Sequence, residues 1–347
     1  MANREGRIRW GVVGLGNVTV NRFVPALVQS ARSTLVACVT RSPESQRGFV
    51  EKFALGHAHS DYAELMRDPD IDAVYIGTPN SLHFAQARDA LAAGKHVLCE
   101  KPLALEAVHG EELVQLARSA DRVLKVAYQF RFERLFERVR EHIAAGTLGD
   151  LRAVTLSGCS PVVRTAAWRQ DPEEGGILSD LAVHFLDLVP WLTGLEFTDV
   201  CARANPPDMA AASVQTISIL GTLGRQCHAA IRASRELPAG QQALIVEGTR
   251  GSVACPAWRG VPQLELTLQD GAGRTVETFA PTPLFEREIA AFEDELSGEH
   301  TALASAADGV RTIVLADAIR RSVQSGHVVA VGAHAAHPAA AAEAGAR

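Results

Sequence analysis

At 347 residues, 47% hydrophobic and 21% charged with a formal net charge of -6, the chain has an ordinary globular composition and the length for two domains, each with its own core. That mildly acidic balance argues against a nucleic-acid or membrane-surface partner, which would need a basic stripe. The first residues contain no apolar signal region and no later stretch has the apolar length of a membrane span, so a cytoplasmic protein is expected. Cys38, Cys99, Cys159, Cys201, Cys227 and Cys255 lie scattered, mostly in apolar runs, without a Cys-x-x-Cys pair, which suits a reducing compartment and implies neither zinc nor disulfides.

In chain order, Ile8 to Val13 predicts a strand that runs into Gly14-Leu15-Gly16-Asn17-Val18-Thr19 and a helix over Val20 to Ser30. Strand, Gly-x-Gly and helix make a dinucleotide turn. Gly14 permits the sharp bend, Gly16 lets backbone approach a pyrophosphate, and the helix start offers N–H groups and a positive dipole end. Thr19 stands where a third glycine is usual.

The next strand, Thr34 to Val39, ends in Thr40-Arg41-Ser42. An NAD-selective turn places a carboxylate roughly 20 residues after the glycines to accept from the ribose 2′-OH. A guanidinium and two hydroxyls stand there instead, which suits a 2′-phosphate, so NADP is expected, with NAD possible. A short helix over Asp61 to Asp68 and a third strand over Asp72 to Gly77 follow, ending in Thr78-Pro79-Asn80. The helix from Ser81 carries His83, expected beside the ribose and nicotinamide.

Val97 to Cys99, between the helix-ending Gly94-Lys95 and Pro102, reads as a buried parallel strand. Lys101 then lies just past its carboxyl end, where open α/β sheets bind ligands. A helix over Glu106 to Ala120, a strand over Val123 to Gln129 and a helix over Glu133 to Ala145 continue the alternation. Residues 1–128 are therefore expected to form a Rossmann, doubly wound parallel sheet of α/β class.

From Leu151 the pattern changes to strands at Arg152 to Ser157, Val200 to Ala204, Val214 to Leu220, Gln226 to Ile231, Gln242 to Glu247, Ser252 to Cys255 and Leu264 to Leu268. Residues 129–331 are expected to form an α+β domain with a large, mostly antiparallel sheet, one face on the cleft and the other free to pair with a second subunit. In Val214 to Leu220 neither alternating face is fully polar, so a homodimer or homotetramer is expected. Within this domain the Gly175-Gly176 pair opens a helix in which Asp180 and His184, four apart, share a face. A carboxylate beside an imidazole raises its proton affinity and fixes its orientation, as a general base requires. Helices over Leu284 to Leu296 and Ala304 to Ser325 and a strand over Val328 to Val331 close the domain. Residues 332–347, rich in Ala, His, Gly and Pro, are expected to be a disordered tail whose His334 and His337 lack partners for a metal.

Five blocks in this order resemble the Gfo/Idh/MocA oxidoreductases: Gly14-Leu15-Gly16-Asn17-Val18, Thr78-Pro79-Asn80 with His83, Glu100-Lys101-Pro102, Gly175 to His184, and Glu247-Gly248-Thr249-Arg250-Gly251. The short connection from Trp168 to Gly175 resembles the 1,5-anhydrofructose reductase and sugar dehydrogenase branch. The resemblance implies a catalytic set of Lys101, Asp180 and His184, with Trp168 and Arg169 approaching cofactor or substrate and Glu100 and Gln129 at the cofactor. Hydride transfer between nicotinamide and a carbinol carbon of a sugar or cyclic polyol is then expected, with Arg131, Arg164 and Trp168 as candidate substrate contacts and no metal. Two alternatives stay open: an NAD-dependent glycosidase or lyase acting by transient oxidation, and a non-catalytic cofactor-binding regulator.

Overall fold

The structure, a computed structural model, describes residues 6–55, 58–59, 61–160, 171, 174, 176–207, 215–237 and 242–332. The first layer alternates β1 (Ile8–Val13), a π turn (Thr19–Phe23) continued by α1 (Val24–Leu27), β2 (Ser33–Val39), α2 (Pro43–Phe53), α3 (Tyr62–Arg67), β3 (Ala73–Ile76), α4 (His83–Ala92), β4 (His96–Glu100), α5 (Ala107–Ser119) and β5 (Leu124–Ala127). These strands are parallel in the order β5-β4-β3-β1-β2, so the chain reverses direction across the sheet at the β1/β3 boundary. That boundary is the switch point at whose carboxyl ends an open α/β sheet holds its ligand. Ala73 to Ile76 and Val97 to Glu100 are buried on both faces, as strands covered by helices on either side must be.

The second layer contains α6 (Arg134–Ala144), β6 (Leu151–Cys159), a π turn (Leu178–Ala182) continued by α7 (Val183–Thr193), β7 (Phe197–Asn205), β8 (Thr216–Leu223), β9 (Cys227–Ser234), β10 (Ala243–Gly248), β11 (Gly251–Cys255), β12 (Leu264–Asp270) and β13 (Gly273–Phe279). The chain ends, within the described residues, with α8 (Leu284–Leu296), β14 (Ala304–Ser305), α9 (Ala306–Ser325) and β15 (Val329–Ala330). The nine-stranded sheet runs β13-β12-β11-β10-β6-β9-β8-β7-β15 and is antiparallel except for the β6/β9 pair. One face packs on α7, where Phe185, Leu186 and Leu188 meet Val154, Leu156 and Ile231. The other face carries one continuous register row, Cys201-Leu220-Ala230-Thr155-Ile245-Ala254-Thr267-Val276, across eight strands without a charge. In that row Leu220 is 62% and Val276 48% exposed.

Two expectations change here. The polar strand β13 does not show in the hydrophobic pattern, because it is a sheet edge whose side chains are mostly exposed. A division of the chain at residue 128 is also too simple. In α8, Phe292 packs against Trp10, their rings 4.9 Å apart, and Ile289 joins the same cluster with Phe23 and Tyr75. β14 then adds an antiparallel edge to β5. The first layer is thus completed by residues 284–305, while the expected tail falls, from residue 333, outside the described residues.

Candidate active site and cofactor cleft

A cleft of about 1280 Å³ opens at the carboxyl ends of β1 to β5 and is roofed by residues of the second layer. It exceeds the 300–1,000 Å³ of most small-molecule sites, which leaves room for a long ligand together with a small one. Its floor begins at the glycine turn. Gly14 has φ +85°, and a Cβ there would lie 2.7 Å from the Gly77 carbonyl oxygen, so the position excludes any other residue. Gly16 is different: a Cβ would meet only the Gly77 carbonyl oxygen, at 3.6 Å. Nothing in the protein demands glycine at 16, and the volume a side chain would fill belongs to the cleft. Asn17 and Val18 continue the lining, with Asn17 Oδ1 accepting from Asn21 Nδ2 at 2.7 Å.

At the end of β2, Thr40 and Arg41 line the cleft and Arg41 is exposed to it. Ser42 is employed otherwise. Its hydroxyl oxygen accepts from Ser45 N at 3.2 Å and caps α2, with Pro43 next in the first turn.

Past β3, Thr78, Pro79 and Asn80 form the next part of the wall, and Asn80 Nδ2 donates to the Glu174 carbonyl at 2.8 Å. His83 is 0% exposed between two backbone carbonyls, Pro102 O at 2.7 Å from Nδ1 and Thr78 O at 3.0 Å from Nε2. Burial pushes its pKa down, against the opposing pull of the two backbone carbonyls. His83 therefore lines the edge of the cleft and ties the loop after β3 to the loop after β4.

After β4, Glu100 accepts from the Tyr75 phenol at 2.9 Å and from Lys101 N at 3.2 Å. Burial first, and the Glu100 charge after it, push the Tyr75 phenol well up, so it remains an O–H donor. Lys101 Nζ donates to the Asp180 carbonyl at 2.6 Å and stands 3.6 Å from Asp180 Oδ1. Asp180 sits in the π turn that leads into α7, and such a turn re-aims side chains relative to a plain helix. Asp180 Oδ2 accepts from Arg235 at 2.8 Å, and the Arg235 side chain is 1% exposed just past the end of β9. His184, on the first turn of α7, lines the cleft with its ring 4.7 Å from that of Phe130. Gln129, past β5, also lines the cleft, and its Oε1 is buried with no hydrogen-bond partner among the described residues.

Lys101, Asp180 and His184 are thus brought together on one wall, at the end of the cleft away from Arg41. Arg131 is not part of it. Its guanidinium donates to both Asp187 oxygens and approaches Asp308 at 3.3 Å, only 7% exposed, so it joins the loop after β5 to α7 and α9 instead of meeting substrate. Arg164, Trp168 and Arg169 lie outside the described residues. Arg235 was missed, since an arginine 55 positions from its carboxylate has no signature in sequence. Trp258, Arg259, Arg22 and Glu133 also line the cleft without having been singled out.

The donor set fits a dinucleotide: a cradle at Gly16 that a Cβ would fill, a cation at the end of β2, and an orphaned amide oxygen on Gln129 able to accept from a carboxamide. Among the described residues no helix is long and apolar enough to cross a membrane.

Residues 8–128 match an oxidoreductase family with NAD-binding Rossmann fold, Gfo/Idh/MocA, and residues 136–254 match that family's C-terminal domain. A 1,5-anhydro-D-fructose reductase of Ensifer adhaerens is 26% identical over 93% of this chain and 98% of its own. A dTDP-3,4-didehydro-2,6-dideoxy-alpha-D-glucose 3-reductase of Streptomyces violaceoruber is 38% identical, but over 54% of this chain and only 55% of its own length. The crystal structure of aldose-aldose oxidoreductase from Caulobacter crescentus, complexed with glycerol, superposes with a TM-score of 0.83 at 25% identity, covering 93% of this chain and 99% of that one. With both domains matched in order and the glycine turn, Lys101 and the Asp180 to His184 segment converging on one cleft, the chain belongs to the Gfo/Idh/MocA oxidoreductases.

Proposed function

We propose that this oxidoreductase transfers hydride between the nicotinamide C4 and a carbinol carbon of a sugar or cyclic polyol. The observation that carries the proposal is the meeting of Lys101, Asp180 and His184 on the wall of a cleft that starts at the glycine turn. The sugar chemistry in the names of the Ensifer and Caulobacter relatives supports the substrate class. A bound nicotinamide supplies the hydride acceptor and donor. The rest falls to side chains. Lys101 holds the substrate oxygen and stabilises the charge it gains, His184 takes or returns the hydroxyl proton, and Asp180, one turn earlier, balances the Lys101 ammonium.

The proposal extends to NADP(H) as the preferred cofactor, because Arg41 and Thr40 face the cleft at the end of β2. It extends also to a homodimer or homotetramer formed through the sheet face that carries the uncharged register row with Leu220 and Val276 exposed.

The test follows absorbance of reduced nicotinamide with a panel of sugars and polyols. Net oxidation or reduction is expected with wild type, and loss of turnover by orders of magnitude in Lys101→Met with cofactor affinity largely kept. Near wild-type turnover in that variant, or glycoside cleavage with no net change in nicotinamide, would overturn the proposal.

A further inference from the structure

Two arginines from opposite layers line the same cleft, and neither makes an ion pair among the described residues. Arg22 sits in the helical segment directly after the glycine turn, on the first layer; Arg259 lies in the connection between β11 and β12, on the second. Both line the cleft together with Gly16, Asn17 and Val18. The Arg259 side chain stays exposed to the cleft, and partial desolvation there, followed by the Arg22 charge, lowers its pKa with no carboxylate acting in the other direction.

Like charges placed across a shared volume repel, the more so in a cleft that displaces water. Such a pair persists where an anion turns the repulsion into attraction on both sides.

The segment carrying Arg259 is rooted. Trp258, 4% exposed, donates from Nε1 to the Ser157 carbonyl at 3.3 Å and packs edge-on against Phe130 and Phe185 with ring centroids 5.2 and 5.9 Å away. Gly260 follows with φ +76°, which turns the chain back at once. A fixed base and a free guanidinium mean that little side-chain ordering remains when an anion arrives, apart from the arginine itself.

We infer that Arg22 and Arg259 form a two-domain clamp on the pyrophosphate of the dinucleotide, with Arg259 as the second layer's contribution to cofactor binding. This rests on the NAD(P) reading of the cleft. The pyrophosphate is favoured over a charged substrate because Arg22 follows directly on Gly14 to Val18 and its charge reaches Arg259, whereas the Lys101 ammonium already pairs with Asp180. A guanidinium gripping a phosphate oxygen contributes a charge-assisted hydrogen bond, bidentate where geometry allows.

The experiment measures binding of two cofactor fragments by titration calorimetry to the full chain. ADP-ribose carries the pyrophosphate and no 2′-phosphate; 2′-AMP carries the 2′-phosphate and no pyrophosphate. Arg259→Ala is expected to weaken ADP-ribose roughly ten- to a hundred-fold while leaving 2′-AMP within about two-fold, with a shallower salt dependence for ADP-ribose. Arg22→Ala should do the same, and Arg259→Lys should recover part of the loss. Arg41→Ala should show the opposite selectivity. Unchanged ADP-ribose affinity in a folded Arg259→Ala overturns the clamp and leaves the cofactor assignment standing. Failure of wild type to bind either fragment or intact NADP(H) overturns the cofactor assignment itself.

Discussion

Arg235 donates to Oδ2 of Asp180 at 2.8 Å, while Oδ1 of the same carboxylate stands 3.6 Å from Lys101 Nζ. One carboxylate is thus shared by a buried guanidinium that never reaches the cleft and an ammonium that does. Arg235 fixes where Asp180 points, and through it where Lys101 points. Replacing Arg235 with Leu leaves the Asp180 charge without its buried counter-charge, which costs about 3–5 kcal/mol where a buried pair is broken. Turnover should fall roughly a hundred-fold through misplacement of Lys101, with KM for cofactor little changed, and Arg235→Lys should restore part of it. Thermal denaturation with steady-state kinetics checks both halves. Equal loss in the Lys variant would point to a packing role alone.

Cofactor choice turns on Arg41, which faces the cleft with no hydrogen bond or ion pair to the described residues. A charged hydrogen bond contributes roughly 1.5–3 kcal/mol, or about one to two orders of magnitude in affinity. Arg41→Ala should raise the NADP(H) Michaelis constant by that factor and leave NAD(H) nearly unchanged. Arg41→Asp should go further, by repelling the phosphate. Equal changes for both cofactors would remove the main support for NADP.

Glu288 gives the molecule a pH dependence of known sign. It is 0% exposed and neither carboxyl oxygen has a hydrogen-bond partner among the described residues. Burial, reinforced by the Glu100 charge, holds its pKa well above the ordinary value of 4.5. The folded state therefore binds the proton more tightly than the unfolded chain does. Its favourable contribution is complete below the ordinary carboxylate range and is lost as pH rises through that range toward the raised folded value. One proton sets a limit of about 1.4 kcal/mol per pH unit on that loss. Glu288→Gln should flatten the alkaline decline, so the gap in melting temperature between variant and wild type should grow from pH 5 to pH 8. A gap independent of pH would mean that Glu288 does not hold a proton in the folded protein.

The uncharged row on the large sheet should be covered by a second copy of the chain. Leu220 and Ile245 lie in that row, Leu220 being 62% exposed. Leu220→Glu and Ile245→Glu should each shift the mass measured by light scattering toward the monomer, with little effect on melting of the monomer itself. A monomeric wild type at micromolar concentration would refute the interface.

Much of this was legible in the sequence, and the limits have a physical cause. Apolar runs between glycine and proline gave the strands of the first layer to within a residue or two, since a strand buried on both faces must be apolar throughout. Lys101 was placed correctly because the end of a parallel strand is a local feature. Arg131 was not: an arginine next to a cleft and an arginine locked on Asp187 and Asp308 look alike in one dimension. Arg235 belongs to the same class, its place set by a carboxylate 55 residues away. Ser42 has a local role the sequence reading left out, its oxygen capping the first turn of α2.

The return of α8 and β14 to the first layer has a consequence for biosynthesis. Trp10, Phe23 and Tyr75, near the amino end, are covered by Ile289 and Phe292, close to the carboxyl end. A ribosome that has made the whole parallel sheet has still not made its lid, and the apolar surface under α8 stays open to other chains until Leu284–Leu296 emerges. The nucleotide-binding layer must wait for residues 284–305, so a fragment that stops before them should be aggregation-prone and not a small cofactor-binding protein.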